Sequence, residues 1–292
     1  MTARRRILAV FNPAAGGDRR ARFERVLAAV RAQGHSITAI ETTGPGHAET
    51  IAREASPETY DVIAAAGGDG TFNEVINGLA EKDMTVGLIP LGTANVLAEE
   101  IGLGKDTASI AAALTRGPIK SIRVGRANGR RFTMMAGAGF DANVVDTVSL
   151  RLKKQIGPLA YVWQSIVQAS VDRFEPCDVV IDGKAYKTTS IVACNGRRYG
   201  GPFVAAPEAS LSDDCFHIVL MNGRGWMSVL RYGLGLTLGR LARLHDVQLV
   251  TGRDVSVRGP SAQPVQADGD IVTHLPLHIA IDPTPVRLLY PA

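Results

Sequence analysis

Apolar positions over the first 115 residues follow two alternating rhythms. Strand-length segments rich in apolar residues lie at 7–11, 36–40, 61–65 and 85–89. Between them run segments with helical spacing: one at 21–32 that Gly34 ends, one from His47, one after Thr71, and two more from near Thr93 and Asp106. Strand and helix in alternation, joined by short connections, predict an α/β domain with a mostly parallel sheet flanked by helices. After residue 120 the rhythm shortens to strand-like segments at 120–127, 131–136, 178–181, 190–194, 216–221, 247–250, 255–258 and 277–281. These predict an antiparallel all-β sandwich or barrel, with helical stretches at 157–171 and 225–244 interrupting it. The expected organisation is an α/β domain over 1–120 and a β-rich domain over 121–292, the extreme C-terminus being able to pack back on the first.

Composition narrows the class. Apolar residues at 46% and charged residues at 21% describe a folded chain. Net charge is +4, no block of five like charges occurs and aromatics reach only 5%, which argues against a nucleic-acid partner. Arg4-Arg5-Arg6 precedes Asn12-Pro13 too closely for the apolar core of a signal peptide. The apolar window 226–244 is broken by Arg231, Arg240 and Arg243 and is no membrane span. Three widely spaced cysteines, Cys177, Cys194 and Cys215, form no CxxC pair, and this fits a reducing compartment. The expectation is a cytoplasmic protein with any membrane contact peripheral, on the inner face. Two segments mix basic with aromatic and aliphatic residues: 150–169, with Lys153, Lys154 and Trp163, and 226–244, with Trp226 and Arg231. Both suit docking on a bilayer or packing on the β domain with their charges in water. The oligomeric state is open, a homodimer included.

The chemistry concentrates in Gly67-Gly68-Asp69-Gly70-Thr71-Phe72-Asn73, between a strand and a helix. A glycine-rich turn leaves backbone N–H groups bare to close around an anion at the positive end of a helix. An ordinary βα turn is the other reading. A carboxylate amid an anion site makes sense if Asp69 holds a metal ion or takes a proton. Ligands bind beyond the carboxyl ends of such parallel strands, and that edge collects two further turns, Asn12-Pro13-Ala14-Ala15-Gly16-Gly17 and Pro90-Leu91-Gly92-Thr93-Ala94-Asn95. Neither G-x-G-x-x-G opening a helix nor G-x-x-x-x-G-K-[ST] occurs. A nicotinamide Rossmann enzyme and a P-loop NTPase both lose ground. His274 and His278 fall on strand and loop, not on one helical face, and are not read as a metal pair.

Taken together the turns resemble the diacylglycerol-kinase catalytic family, which includes sphingosine and ceramide kinases and small bacterial lipid kinases. Asn12-Pro13-x-x-Gly16, Gly67-Gly68-Asp69-Gly70-Thr71 and Pro90-Leu91-Gly92-Thr93-Ala94-Asn95 match its motifs in order. The second half agrees through Gly137-Ala138-Gly139-Phe140-Asp141-Ala142, Asn195-Gly196 with Tyr199-Gly200-Gly201, Ala206-Pro207-Glu208-Ala209 and Gln266-Ala267-Asp268-Gly269-Asp270. The small bacterial lipid kinases are the nearest subgroup.

That resemblance implies a nucleotide-binding α/β domain like that of NAD kinases and phosphofructokinases, and a β-sandwich domain for a lipid substrate. It implies transfer of the γ-phosphate of ATP, with Mg²⁺, to a hydroxyl of diacylglycerol or a related lipid such as a sphingoid base or phosphatidylglycerol. It assigns ATP to Asn12, Pro13, Ala14, Ala15, Gly16, Thr42, Gly67, Gly68, Asp69, Gly70, Thr71, Phe72, Asn73 and Thr93. It places the catalytic carboxylate at Asp270, with Asp268 two residues away, and a structural magnesium loop on Ser210, Asp213 and Cys215, partly through backbone carbonyls. Two positions depart from the family pattern. Asp270 stands where Glu is usual, which leaves Asp268 or Asp69 as alternative bases, and Asp213-Asp214 replaces the usual Asp-Gly of the metal loop. The alternatives are a soluble small-molecule kinase of the NAD-kinase and phosphofructokinase group, and a non-catalytic nucleotide or lipid sensor.

Overall fold

The computed structural model describes residues 4–13, 18–139, 142 and 175–292. The expected helix at 157–171, the basic segment beside it and residues 14–17, 140 and 141 of the motifs lie outside these. The chain divides into two compact units, residues 1–122 with 283–292, and residues 123–282.

The first unit follows the alternating pattern: β1 (Arg6–Phe11), α1 (Arg19–Ala32), β2 (Ser36–Glu41), α2 (His47–Glu54), β3 (Val62–Gly67), α3 (Asp69–Gly78), β4 (Thr85–Pro90), α4 (Val96–Glu100), α5 (Thr107–Arg116) and β5 (Ile119–Ile122). Its six-stranded sheet has the order β2-β1-β3-β4-β20-β5, with β20 (Val286–Leu289) coming from the chain's end. Strands β1 to β4 run parallel, β20 joins β4 in parallel, and β5 pairs antiparallel to β20. Strands β3 and β4 are buried along their whole length, as expected when helices cover both faces of a parallel sheet. Phe11 and Phe23 stack with ring centroids 4.3 Å apart, pinning α1 to β1.

The second unit is a sandwich of two antiparallel six-stranded sheets, not a barrel. One sheet has the order β10-β9-β16-β19-β6-β7, from β6 (Gly125–Ala127), β7 (Arg130–Phe132), β9 (Cys177–Ile181), β10 (Lys184–Thr188), β16 (Asp254–Arg258) and β19 (Leu277–Ile281). The other, β15-β14-β11-β8-β17-β18, holds β8 (Met135–Gly139), β11 (Ser190–Cys194), β14 (Phe216–Met221), β15 (Val247–Gly252), β17 (Pro264–Ala267) and β18 (Asp270–His274). A small β12–β13 ribbon (Arg198–Gly200, Phe203–Val204) and helix α6 (Gly225–Thr237) complete it.

The first sheet alternates buried and exposed positions along β9 and β16, one face inward and one in water. In the second sheet β8 and β11 are buried throughout. Their second face meets Ala205, Ala206, Ala209 and Leu241, with Tyr232 and Leu236 of α6 packed alongside.

Two differences from the sequence pattern have clear causes. Residues 120–127 read as one strand, yet β5 belongs to the first unit's sheet and β6 to the second's. The helix expected over 225–244 ends at Thr237 because Gly239 takes φ 63° and the Arg240 N–H turns back to the Gly235 carbonyl at 2.6 Å, a glycine-terminated stop. A 3-10 turn at Leu241–Arg243 follows.

A buried ion cluster closes the sandwich where β19 ends. Asp282 is wholly buried, and Arg131, 3% exposed, donates Nε to Oδ2 at 2.7 Å and Nη2 to Oδ1 at 3.1 Å. Arg126 adds Nε to Oδ2 at 2.6 Å. Removing one partner strands a buried charge. Asp282→Ala is therefore expected to lower stability by about 3–5 kcal/mol, read as a shift of the urea midpoint against wild type.

Candidate functional site

In the first unit the motif turns converge on the start of α3. This helix begins at Asp69, earlier than the pattern after Thr71 indicated, so the glycine-rich motif is its first turn. The Thr71 and Phe72 amides donate to the Gly68 carbonyl at 3.1 and 3.2 Å. Gly68 is the N-cap residue and brings no side-chain cap, so among the described residues the usual N-cap oxygen is missing from the positive end of α3, where the Asp69 carboxylate draws on its own amide.

Each neighbouring turn is tied to this helix. The Asn12 amide donates to the Ala66 carbonyl at 2.9 Å, and its Nδ2 donates to Thr71 Oγ1 at 3.2 Å. A Cβ on Gly67 would lie 2.3 Å from that same Oγ1. The Leu91 and Gly92 amides donate to the Gly67 carbonyl at 2.8 and 3.1 Å. A Cβ on Gly92 would stand 2.5 Å from Gly68 Cα, so only glycine permits this approach. Asn95, left-handed at φ 48°, closes the third turn: its Oδ1 accepts the Gly92 N–H at 2.9 Å and its Nδ2 donates to the Gly92 carbonyl at 2.7 Å.

Two carboxylates serve neighbouring helices. Asp69 Oδ1 accepts the Leu97 N–H at 3.3 Å, in the first turn of α4. Burial pushes the Asp69 carboxyl above its ordinary range, and the amides of Val96, Leu97 and Asn95 pull against that shift. Glu74 of α3 accepts the Gly46 N–H at 3.0 Å and the Ala48 N–H at 3.1 Å, which caps α2. Thr42 is buried and its amide donates to the Phe11 carbonyl at 2.8 Å.

The expected nucleotide residues thus separate. Asn12, Gly67, Gly68, Asp69, Gly70 and Thr71 come together with the Gly92–Asn95 turn, where Thr93 is exposed. Phe72 is a core side chain, and Asn73 is buried with its Oδ1 accepting the Asn77 amide at 3.0 Å. Pro13 is exposed. Ala14, Ala15 and Gly16 lie outside the described residues.

In the second unit, Asp268 and Gly269 take φ values of 50° and 83° between β17 and β18. Two consecutive positive φ angles mark a type I′ hairpin turn, for which Asp-Gly is a preferred pair. Asp268 Oδ2 accepts the Thr133 N–H at 2.7 Å, and Oδ1 accepts those of Met134 and Met135 at 2.7 and 3.1 Å. Buried Gln266 receives the Gly269 N–H at 3.1 Å. Asp270, at the head of β18, is exposed. Asn195 is buried and donates to the Arg123 and Thr133 carbonyls, each at 2.8 Å.

The Ser210–Cys215 loop closes on itself. Asp213 Oδ2 accepts the Ser210 N–H at 3.0 Å and lies 3.3 Å from His217 Nε2, while the Ser210 carbonyl takes the Asp213 N–H at 2.9 Å. Asp214 pairs with Arg123 and Arg253. The Cys215 thiol is held above its ordinary pKa by burial and by Asp213. Magnesium favours several oxygen ligands in near-octahedral geometry, and this donor set offers a thiol, a carboxylate bound to its own loop and another paired with arginines. The side chains alone do not make such a site, and backbone carbonyls of the loop would have to supply most of its oxygen ligands. Among the described residues no three His, Cys, Asp or Glu side chains gather as a metal centre.

Comparison with known proteins decides the family. The model of the diacylglycerol kinase catalytic domain matches residues 6–127, and that of the YegS C-terminal NAD kinase beta sandwich-like domain matches 134–290. The chain belongs to the diacylglycerol kinase family. It is thereby a lipid kinase, and kinase chemistry implies ATP use. A diacylglycerol kinase of Bacillus subtilis is 28% identical over 91% of this chain and 90% of its own. That of Staphylococcus saprophyticus is 26% identical over 94% and 91%. A solved structure of a diacylglycerol kinase from Bacillus anthracis superposes with a TM-score of 0.79 at 23% identity, covering 99% of this chain and 98% of that one, and shows the same fold. Among the described residues no helix is long and apolar enough to cross a membrane.

Sequence reasoning missed Glu74 as the cap of α2 and the backbone-holding duty of Asp268. The second was open to detection, because Asp268-Gly269 lies between the alternating segments 264–267 and 270–274.

The raised Asp69 carboxyl has a pH consequence. A folded-state pKa above the unfolded one stabilises the fold below the unfolded value and loses that contribution as pH rises through the folded value. Asp69→Asn is therefore expected to flatten the fall in urea midpoint from the ordinary carboxyl range upward, and to keep neutral-pH stability. Asp69→Ala, which removes the cap of α4, is expected to cost about 1 kcal/mol. Urea midpoints of the three proteins across pH 4–7 test both statements.

Proposed function

We propose that this enzyme transfers the γ-phosphoryl group of magnesium-ATP to a hydroxyl of diacylglycerol. The observation that carries the reading is the convergence of three motif turns on the first turn of α3. The backbone N–H groups there are proposed to take the triphosphate, which supplies the anionic cap that Gly68 lacks. Thr71, held by Asn12, adds a hydroxyl beside it. The names of the curated relatives favour diacylglycerol as acceptor, ahead of a sphingoid base or phosphatidylglycerol.

Asp270 is proposed as the base. It is exposed at the head of β18, whereas Asp268 accepts three backbone amides and Asp69 holds the start of α4. In the proposed step the lipid hydroxyl oxygen bonds to the γ-phosphorus as the bond to the bridging oxygen breaks. The electron pair leaves on ADP, and the hydroxyl proton passes to Asp270 and then to water. A carboxylate is a weak base, which suffices when the transition state is loose and the proton leaves late. Asp69 and Asp268 act as positioning residues, and Mg²⁺ arrives as part of the nucleotide substrate.

The test is transfer of γ-³²P from magnesium-ATP to dioctanoylglycerol, with sphingosine and phosphatidylglycerol in parallel. Asp270→Asn is expected to lower kcat by about 100-fold or more with KM for ATP little changed. Asp268→Asn is expected to show its loss first in the urea midpoint. Wild-type kcat in Asp270→Asn would remove the base assignment. Labelling of one of the other lipids alone would replace the acceptor.

The glycine contact gives a second test. Gly92→Ala puts a methyl against Gly68 Cα, and is expected to weaken ATP binding at least about tenfold, a loss of roughly 1.4 kcal/mol, in a titration of the lipid-free enzyme.

A further inference from the structure

Helix α6 has one face that the sandwich uses and one that it does not. Ser228, Val229 and Gly235 are buried, and Tyr232 and Leu236 pack on the cluster that includes Val192 and Val247. The Tyr232 hydroxyl accepts the Gly223 N–H at 2.6 Å and donates to Asp246 Oδ2 at 2.6 Å, and Arg231 bonds the same carboxylate oxygen. These contacts fix the helix on the sheet. Its outer face carries Trp226, Met227, Leu230 and Leu234, and Leu238 follows at its end, all between 42% and 68% exposed. Trp226, Leu230, Leu234 and Leu238 are each four residues apart, which makes one continuous stripe. Scattered single apolar residues on a surface need no explanation, but a contiguous stripe does.

Charge identifies the occupant. Between Arg224 and His245 there is no acidic residue. Arg224 stands at one end of the stripe and Arg240 and Arg243 at the other, all exposed and in no ion pair among the described residues. An apolar face with basic ends and a tryptophan has the chemistry of a helix lying in the headgroup layer of an anionic bilayer. A second copy packed antiparallel across the stripe would set Arg224 against Arg240 and Arg243, and like charges oppose that pairing. The helix has 13 residues, too few to span the hydrocarbon core, so it lies on the surface.

We infer that the outer face of α6 docks this enzyme on anionic membranes, with the stripe from Trp226 to Leu238 in the acyl boundary and Arg224, Arg240 and Arg243 on lipid phosphates. The inference rests on the lipid-kinase reading, because a bilayer is where a long-chain diacylglycerol is found.

Co-sedimentation of the full chain with vesicles tests it. Wild type is expected to pellet with equimolar phosphatidylcholine and phosphatidylglycerol, and to remain in solution with phosphatidylcholine alone. Leu234→Asp with Leu238→Asp is expected to weaken binding at least about tenfold, and Arg240→Ala and Arg243→Ala about fivefold each. All variants are expected to keep wild-type kcat on soluble dioctanoylglycerol and to lose rate on vesicle-embedded dioleoylglycerol. Undiminished vesicle binding by the double-aspartate variant would overturn the inference. So would a wild type that phosphorylates the soluble lipid but ignores anionic vesicles, or a dimer in sedimentation that this variant dissolves while vesicles bind neither protein. Absence of label in both lipids would sink the kinase reading alone, since the vesicle pellet still judges the helix.

Discussion

The motif turns of the first unit depend on a backbone-to-backbone approach between Gly68 and Gly92. Gly92 has no room for a side chain there, since its Cβ would fall 2.5 Å from Gly68 Cα, and a Cβ on neighbouring Gly67 would strike Thr71. The approach lets the Gly67 carbonyl accept both Leu91 and Gly92 amides, which locks the third turn to the end of β3. With that lock made, Asp69 reaches the start of α4 and Asn12 reaches Thr71. Helix α3 becomes a hub whose side chains hold the ends of β1, α2 and α4, while its own N-cap residue, Gly68, supplies no side-chain cap. The arrangement is preorganised, because its backbone groups are fixed by bonds within the protein itself.

The second unit applies the same device to a β-hairpin. Asp268, in a left-handed conformation, gathers three successive amides of the β7–β8 connection and the start of β8. Hydrogen bonds to an ionised acceptor are stronger than neutral ones, so the hairpin turn is held firmly against the neighbouring strand. Two of the three candidate carboxylates, Asp69 and Asp268, are thus bound to backbone within their own unit. Exposure, more than motif membership, sets Asp270 apart from them.

Much of the architecture was legible in the pattern of apolar residues, because parallel and antiparallel strands bury different faces. The continuous runs at β3 and β4 and the alternation at β9 and β16 record those environments directly. The glycine motif was legible for the same local reason. What could not be read were contacts between residues distant in sequence. Asp69 and Leu97 are 28 positions apart, Asp282 and Arg131 are 151 apart, and neither pair leaves a periodic trace. The hairpin at Asp268-Gly269 lay within reach of turn chemistry, but motif resemblance drew attention to its acids and away from its backbone. The two faces of α6 were visible as mixed apolar and basic residues, and only the fold shows which face the sheet takes.

The shortened carboxylate at Asp270 gains meaning from this frame. A type I′ turn fixes the direction in which β18 departs, and Asp268 fixes that turn to β8. The Cα of Asp270 is therefore set by the hairpin, and a side chain one methylene shorter than Glu has fewer rotamers with which to recover the lost reach. Backbone adjustment would break amide bonds to Asp268 and is disfavoured. If Asp270 takes the proton, the acceptor hydroxyl has to approach more closely than it would a glutamate. The shorter acid then loses less side-chain entropy in each encounter while demanding tighter placement of the lipid. Asp270→Glu, which restores the longer arm, separates these effects: a change confined to KM for the lipid locates the difference in placement, and a change confined to kcat locates it in the proton transfer.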